Sequence, residues 1–256
     1  MSSEEQYSTT GILRYEWIFG YGFLGYGEPE VTRELIKRMD WPKGLKVLDV
    51  GCGLGGAAFL MAREHQARVT GVDLTEEIVD LARKRQQEQG ITGVDFIQGD
   101  IHALDFAPES FDVIWSRETL LHVPEKEKLF NKFHYWLAPG GHLSITDYAR
   151  RQGRGSRLFE EYVEESGYPL PELSQYENIV SGAGFSEVDV EDKTELLSRL
   201  LEDQLHNLEK NRQEFCQRFS TEDFEYLQSR WQLKLDCCRN GDMKWAWVLA
   251  RKQASF

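Results

Sequence analysis

Residues 47–56 read VLDVGCGLGG, a short apolar run that ends in a glycine-rich turn. Gly51, Gly53 and Gly56 match the G-x-G-x-x-G pattern of loops that let a nucleotide ligand approach the backbone closely. From this run to residue 147, short β-rich segments alternate with helical ones. That alternation predicts a parallel sheet covered on both faces, with a ligand edge beyond the carboxyl ends of its strands.

Three carboxylates accompany the glycine turn. Asp49 lies on the first predicted strand, where it would repel a pyrophosphate but would suit a ligand with a cation or hydroxyls. Asp73 ends the second strand, where it can accept both hydroxyls of a ribose, and Asp100 ends the third, where it can accept from an adenine amino group. An adenine, a ribose and a cationic end without phosphate together indicate S-adenosylmethionine.

The rest of the chain departs from simple alternation. Residues 157–184 look helical with a turn near Gly167, FSEVDVEDKT reads as a strand, residues 195–239 read as two helices separated by an N-cap at Ser220, and DMKWAWVLARK reads as the last strand. We therefore predict an α/β, Rossmann-like sheet, mostly parallel with an antiparallel C-terminal strand, plus a helical lid. The expected units are an N-terminal helical cap (1–44), a cofactor-binding core (45–150), and lid insertions with the last two strands (151–256).

Composition narrows the class of partner. The chain has 256 residues and a formal net charge of −13, which argues against a nucleic-acid binder, and no apolar run approaches the ~20 residues of a membrane helix. The polar, acidic first residues are unlike a signal peptide, and the four cysteines show neither metal-ligand spacing nor a disulfide framework. We expect a cytoplasmic monomer that acts on a small molecule, without a metal, a nucleic acid or membrane insertion.

The ordered motifs VLDVGCGLGG, GVDLT, QGDIHALDF, FDVIWSRETLLHV and WLAPGGHLSITDY resemble those of the class I S-adenosylmethionine-dependent methyltransferases. They cover roughly residues 45–150. The resemblance implies that the glycine loop supports the methionine end of the cofactor, that the acid after the second strand holds the ribose, and that the Gly-Asp pair after the third holds the adenine. The implied cofactor-binding residues are Leu24, Asp49, Gly51, Gly53, Asp73, Leu74, Asp100, Ile101 and Arg117.

A second resemblance extends over nearly the whole chain. The segments QYSTTGILRYEWIFG (6–20), SRETLLHV (116–123), ITDYA (145–149), EYVEESGYPL (161–170) and SRWQLKL (229–235) are similar to the phosphoethanolamine N-methyltransferases. In that family a tyrosine and a histidine meet across the substrate and assist its deprotonation, which implies a catalytic pair of Tyr7 and His122. The implied substrate-binding residues are Gln6, Tyr15, Glu118, Tyr148, Tyr162, Tyr168 and Lys234, of which the last four would hold the phosphate.

The chain also departs from that family. Residues 24–29 replace a stretch of small residues, Glu118 replaces an aspartate, and Ser166 stands where the family often has an arginine, in a run that contains Glu164 and Glu165. These changes weaken the phosphate interpretation but not methyl transfer. The segments YEWIFG and WLAPGG also resemble the methyltransferase domain of ovothiol-synthesising enzymes, so a histidine-derived thiol or another zwitterionic amine stays open as the acceptor. A nicotinamide-dependent oxidoreductase and a non-catalytic interaction module are the alternatives from other classes.

Overall fold

The computed structural model of the chain describes residues 9–254. Its core is a seven-stranded sheet with the order β3-β2-β1-β4-β5-β7-β6. The strands are β1 (Lys46–Val50), β2 (Arg68–Asp73), β3 (Val94–Gln98), β4 (Phe111–Arg117), β5 (Leu137–Arg150), β6 (Ser186–Asp192) and β7 (Met243–Arg251). The pairs among β1 to β5 are parallel, whereas β7 runs antiparallel to both β5 and β6. The predicted Rossmann-like sheet with an antiparallel C-terminal strand is therefore confirmed.

Ten α-helices are present within the described residues. They are α1 (Thr9–Phe19), α2 (Glu30–Lys37), α3 (Gly56–His65), α4 (Glu76–Gln89), α5 (Lys126–Trp136), α6 (Arg157–Ser166), α7 (Leu173–Gly182), α8 (Thr194–Lys210), α9 (Arg212–Arg218) and α10 (Thr221–Arg239). A 3-10 turn over Leu120–His122 follows β4. Within the same range, none of these helices is long and apolar enough to cross a membrane.

Side chains along each strand point alternately to the two faces of the sheet, and a hydrophobic cluster covers each face. Val47 packs in the cluster with α2, α3 and α8 to α10, whereas its neighbour Leu48 packs in the cluster with α5 and α7. Because successive side chains of a strand point to opposite faces, Asp49 lies on the face of the first cluster, and Tyr148 on β5 belongs to that same cluster. The functional groups at the ends of these strands therefore share one face.

Helix α1 is held by ion pairs with two other helices, α4 and α10. Glu16 accepts two hydrogen bonds from the guanidinium of Arg85 on α4, at 2.7 and 2.9 Å, and one from the backbone of Gly22 at 2.9 Å. Arg14 forms an ion pair with Asp223 on α10. These contacts fix α1 to α4 and to α10, and the division into a cap, a core and a lid stays a prediction.

Two expectations for the C-terminal part need correction. The segment 195–239 forms three helices rather than two, because α8 ends at Lys210 and α9 begins at Arg212. Asn211 lies between them, and its side-chain amide donates to the carbonyl of Asn207 at 2.8 Å. Ser220 does cap α10, since its hydroxyl accepts from the backbone of Asp223 at 3.0 Å. The stretch 157–184 forms two helices around the predicted turn near Gly167, but α7 packs on β6 and α5 rather than in the expected lid.

Candidate active site

The glycine turn after β1 is closely packed by its neighbours. Gly51 has a φ of +74°, and a Cβ added there would lie 1.9 Å from the hydroxyl oxygen of Thr119. Gly53 has a φ of +53°, and its backbone nitrogen donates to Asp73 Oδ2 at 3.0 Å. A side chain at Gly51 would both strain the backbone and displace the loop after β4. The turn therefore leaves a narrow space, lined by backbone atoms, between the end of β1 and the loop that follows β4.

A cavity of about 690 Å³ opens beside this turn. Its size is in the usual range for a small-molecule site. All the site residues predicted from sequence that lie within residues 9–254 line it: Tyr15, Leu24, Asp49, Gly51, Gly53, Asp73, Leu74, Asp100, Ile101, Arg117, Glu118, His122, Tyr148, Tyr162, Tyr168 and Lys234. The predicted residues Gln6 and Tyr7 lie outside the described residues. The structure thus brings both predicted sets, cofactor and acceptor, into one space.

Carboxylates form one end of the cavity. Asp49 is buried, and its Oδ2 has no hydrogen-bond partner within the described part of the chain. Burial, and secondarily the nearby Asp73, raises the pKa of Asp49 to about 7. A buried carboxyl oxygen without a donor is costly unless a ligand supplies one. This end therefore suits a ligand that brings an ammonium group or another donor, as the amino-acid end of S-adenosylmethionine would.

The other two predicted acids also fit such a ligand. Asp73 is held in place by the backbone nitrogens of Gly53, at 3.0 Å, and Thr75, at 3.1 Å. Asp100 is exposed at the rim and accepts from the backbone of His102 at 2.8 Å, which closes a local turn. Each carboxylate has lone pairs left after these contacts, because an ionised carboxylate offers about four acceptor sites. Their roles toward ribose and adenine stay predictions.

The opposite part of the cavity is built around Lys234 on α10. Its ammonium nitrogen donates to the hydroxyl of Tyr148 at 3.1 Å and to that of Tyr26 at 3.3 Å. Burial lowers the pKa of Lys234 to about 8, so most of the group is protonated at neutral pH, and burial raises the pKa of both tyrosines well above their usual value. Within the described residues, no carboxylate forms an ion pair with Lys234.

This cluster is arranged to receive an anion. Because Lys234 donates to each hydroxyl oxygen, the hydroxyl hydrogens of Tyr26 and Tyr148 remain available as donors. The ammonium group itself has three hydrogens, of which the two tyrosines take two. The three groups can therefore present donors together, although the charge of the nearby Glu118 partly offsets that of Lys234. Tyr26 was missed in the sequence analysis because it lies within the departure at 24–29.

Arg117 and Glu118 line the cavity beside Tyr26 and Lys234. Arg117 forms an ion pair with Glu28, donates to the carbonyl of Tyr26 at 3.2 Å, and lies 3.3 Å from Glu118 Oε2. Glu118 also accepts from the hydroxyl of Thr146 at 2.7 Å. These contacts use much of the donor capacity of Arg117, so one consequence of its position is to order the segment that carries Tyr26. Both residues face the cavity, and their predicted contacts with ligands stay predictions.

His122 lies at the end of the 3-10 turn, with its ring 5.2 Å from that of Tyr168. The side chain is accessible from the cavity, but the surrounding protein, and secondarily Lys126, lowers the pKa of His122 below its usual value. Behind it, the buried Asp147 accepts from the backbone of Leu121 at 2.8 Å. Lys126 donates to the carbonyl of Leu120 at 2.6 Å and to that of Val123 at 2.9 Å. This network fixes the turn that presents the imidazole of His122, whose lowered pKa favours the unprotonated form.

Arg230 is a second residue that the sequence analysis missed. It lines the cavity, and its Nη2 donates to the hydroxyl of Ser166 at 3.0 Å. Ser166 occupies the position where the related family often has an arginine, and the lack of that arginine weakened the phosphate interpretation. In the structure the guanidinium of Arg230, from α10, lies beside Ser166. A signal was present in SRWQLKL, because Arg230 precedes Lys234 by four residues and so shares its helix face.

The fold and this cavity together define a class I methyltransferase, and comparison with known proteins agrees. Residues 42–204 match the family model of a methyltransferase domain. The chain is 32% identical over 250 residues to phosphoethanolamine N-methyltransferase of Plasmodium falciparum, and the match covers 96% of the chain and 93% of that relative. The chain belongs to the phosphoethanolamine N-methyltransferase family.

Other relatives are longer. The chain is 40% identical over 247 residues to phosphoethanolamine N-methyltransferase 1 of Triticum aestivum, of which the match covers 49%. Among solved structures, phosphoethanolamine N-methyltransferase 2 of Haemonchus contortus, in complex with phosphomonomethylethanolamine and S-adenosylhomocysteine, superposes with a TM-score of 0.94 at 33% identity. That match covers 97% of the chain and 59% of the nematode protein. The chain spans about half the length of the first plant relatives that it matches.

Proposed function

We propose that the chain transfers a methyl group from S-adenosylmethionine to the nitrogen of phosphoethanolamine or its methylated derivatives. One observation supports this most: the cluster of Lys234, Tyr26 and Tyr148 lies in the same cavity as the glycine turn and its acids. An acceptor with a phosphate at one end and an amine at the other would place its nitrogen between the two regions. A nicotinamide cofactor fits less well, because its pyrophosphate would meet the buried Asp49.

The acidic end is the proposed cofactor site. When bound there, S-adenosylmethionine supplies a methyl group on a sulfonium, which is an electrophile that needs no further activation. Gly51 and Gly53 leave room for the ligand to approach the backbone, Asp49 takes a donor from its amino-acid end, and Asp73 and Asp100 orient its ribose and adenine. Catalysis then consists mainly of alignment and exclusion of water, because the transfer is an in-line displacement.

The basic end is the proposed site of the acceptor's phosphate. Lys234 provides a point charge, and Tyr26, Tyr148 and the nearby Tyr162 and Tyr168 provide hydroxyl donors without further charge. A phosphate held there would fix the distance of the acceptor's nitrogen from the methyl donor. An acceptor without a group such as phosphate at this end would leave several of these donors unpaired, which costs binding energy.

The acceptor's nitrogen must also lose a proton before it can attack. His122 is proposed as the base, since its lowered pKa keeps the imidazole unprotonated at neutral pH and able to accept a proton. Tyr7, outside the described residues, is proposed to orient His122 or to relay the proton. Tyr15 and Glu118 line the cavity, and Gln6 is proposed to join them in binding the acceptor.

A methyl-transfer assay across acceptors tests the proposal. The purified chain is incubated with radiolabelled S-adenosylmethionine and, separately, phosphoethanolamine, phosphomonomethylethanolamine, ethanolamine, sarcosine or 5-thiohistidine. We expect turnover with the two phosphorylated amines and at least a hundredfold lower kcat/KM with ethanolamine, because three donors at the basic end would lose their partner. Turnover with 5-thiohistidine alone would transfer the assignment to the ovothiol type.

The proposal also includes a monomeric enzyme of the cytoplasm. The cysteines Cys52, Cys216, Cys237 and Cys238 are free thiols, which a reducing compartment would keep reduced. Light scattering after size-exclusion chromatography measures the mass in solution, and a mass of twice 29.7 kDa would contradict the monomer.

A further inference from the structure

Arg230 is the second cation of the cavity. It lies on α10 between Tyr226 and Lys234, four residues from each, and all three line the cavity. The guanidinium is fixed by Ser166, to whose hydroxyl it donates at 3.0 Å, and by Tyr162, whose ring centre lies 4.7 Å from the guanidinium carbon. Its side chain is 26% exposed. Arg230 is thus an ordered, half-buried group that faces the same space as Lys234.

The charge of Arg230 is only weakly compensated by the protein. Its one ion pair within residues 9–254 is with Glu165, at 3.9 Å, and the Glu165 side chain is 72% exposed, so solvent screens the pair. Like charges four residues apart on a helix repel each other, and Lys234 is such a neighbour. Two cations that converge on one cavity therefore favour a ligand that carries more than one negative charge.

Lys234 and Arg230 also differ in the hydrogen-bond donors that they leave for a ligand. Lys234 is a compact charge that already donates to two tyrosines. The guanidinium of Arg230 is planar, and a single hydrogen bond to Ser166 leaves most of its five donors for a ligand. A phosphate monoester and a sulfonate each have three terminal oxygens, but the phosphate carries up to two negative charges and the sulfonate only one, so the second cation adds more to the binding of the phosphate.

We propose that Arg230 is an anion-contacting specificity residue that makes this site select a doubly charged phosphate over a singly charged anion. The inference rests on the proposed function, since it assigns Arg230 to the phosphate of the same acceptor. Ser166 acts as the positioning residue that directs the guanidinium into the cavity. The hydrogen bond between them links the guanidinium on α10 to the end of α6 beside the cavity.

The test compares binding of two ligands of similar length, phosphoethanolamine and 2-aminoethanesulfonate, to the chain loaded with S-adenosylhomocysteine. Calorimetry at pH 8 gives the Kd of each ligand for the wild type, Arg230→Gln, Arg230→Lys and the control Arg239→Gln. Arg239 lies on the same helix but pairs with Glu202 at 2.8 Å on the surface. Turnover of phosphoethanolamine is measured in parallel, and the Kd of S-adenosylhomocysteine shows whether each variant keeps its fold.

We expect Arg230→Gln to weaken phosphoethanolamine binding at least tenfold, to change the Kd for the sulfonate less than threefold, and to leave the Kd of S-adenosylhomocysteine unchanged. Arg230→Lys should recover part of the phosphate preference, and Arg239→Gln should match the wild type. An unchanged ratio of the two Kd values in Arg230→Gln would overturn the inference even if the wild type turns over phosphoethanolamine. A wild type that binds phosphoethanolamine through Arg230 without methylating it would overturn the proposed reaction but retain the anion site.

Discussion

The pH dependence of cofactor binding should report the ionisation of Asp49. In the free protein, burial and the neighbouring Asp73 raise the pKa of Asp49 to about 7. A ligand that brings an ammonium group to this site binds the carboxylate and not the protonated acid. Below pH 7, binding must therefore first remove a proton, and the affinity falls as the pH falls through the pKa of the free protein.

The size of the effect follows from that pKa. At pH 8 most of Asp49 is ionised and the affinity is close to its limit. At pH 6 roughly one molecule in ten carries the carboxylate, so the Kd for S-adenosylhomocysteine should be about tenfold higher than at pH 8, which corresponds to ~1.4 kcal/mol. In Asp49→Asn the Kd should be higher at pH 8 and nearly independent of pH over this range.

Calorimetry with S-adenosylhomocysteine between pH 6 and 8, in buffers of different ionisation enthalpy, measures both the Kd and the protons released. We expect close to one proton released per ligand bound at pH 6 and almost none at pH 8. Asp95→Asn is the matched control, because Asp95 is an exposed strand residue outside the cavity. The reasoning is refuted if the wild-type Kd stays flat over this range, or if Asp49→Asn keeps the wild-type slope.

Three further substitutions have definite expected outcomes. Gly51→Ala should reduce affinity for S-adenosylhomocysteine more than tenfold by calorimetry, because its Cβ would lie 1.9 Å from Thr119, whereas Gly153→Ala, with nearly the same φ but open space around it, should bind normally. His122→Ala should lower kcat by roughly 10²–10⁴-fold at an unchanged Kd for S-adenosylhomocysteine, and a wild-type kcat would end its role as base. Tyr176→Phe removes a donor to the buried Asp147 and should lower the free energy of unfolding, measured by urea denaturation, by about 1–3 kcal/mol. The control Tyr135→Phe changes an exposed residue and should lower it by almost nothing. Equal stabilities of the two variants would contradict the proposal that Asp147 supports the 3-10 turn.

The fold was largely predictable because its signals are local. The glycine turn at 51–56, the acids that end successive strands, and the alternation of strands and helices each follow from the chain's own periodicity. The final strand was expected to be antiparallel, and the structure agrees. The extra break at Asn211 was not predicted, because the apolar pattern continues through Phe215, which is buried in the core.

The anion site was only partly predictable, because its contacts join distant parts of the chain. Lys234 reaches Tyr26 across 208 positions and Arg230 reaches Ser166 across 64. No spacing rule within one segment indicates such pairs. Within its own segment Ser166 indicates a missing charge, whereas the folded chain supplies a guanidinium from another helix. The residues implied by the family resemblance share one cavity, and their individual roles stay predictions.

A crystal structure of the chain with S-adenosylhomocysteine and phosphoethanolamine bound together tests the central claim most directly. The claim is that one cavity holds the cofactor at its acidic end and the acceptor's phosphate at its basic end. We predict phosphate oxygens within about 3 Å of Lys234 Nζ and of the hydroxyls of Tyr26 and Tyr148, with the amine nitrogen directed at the cofactor's sulfur. A phosphate bound away from Lys234, or an amine directed away from the sulfur, would contradict it.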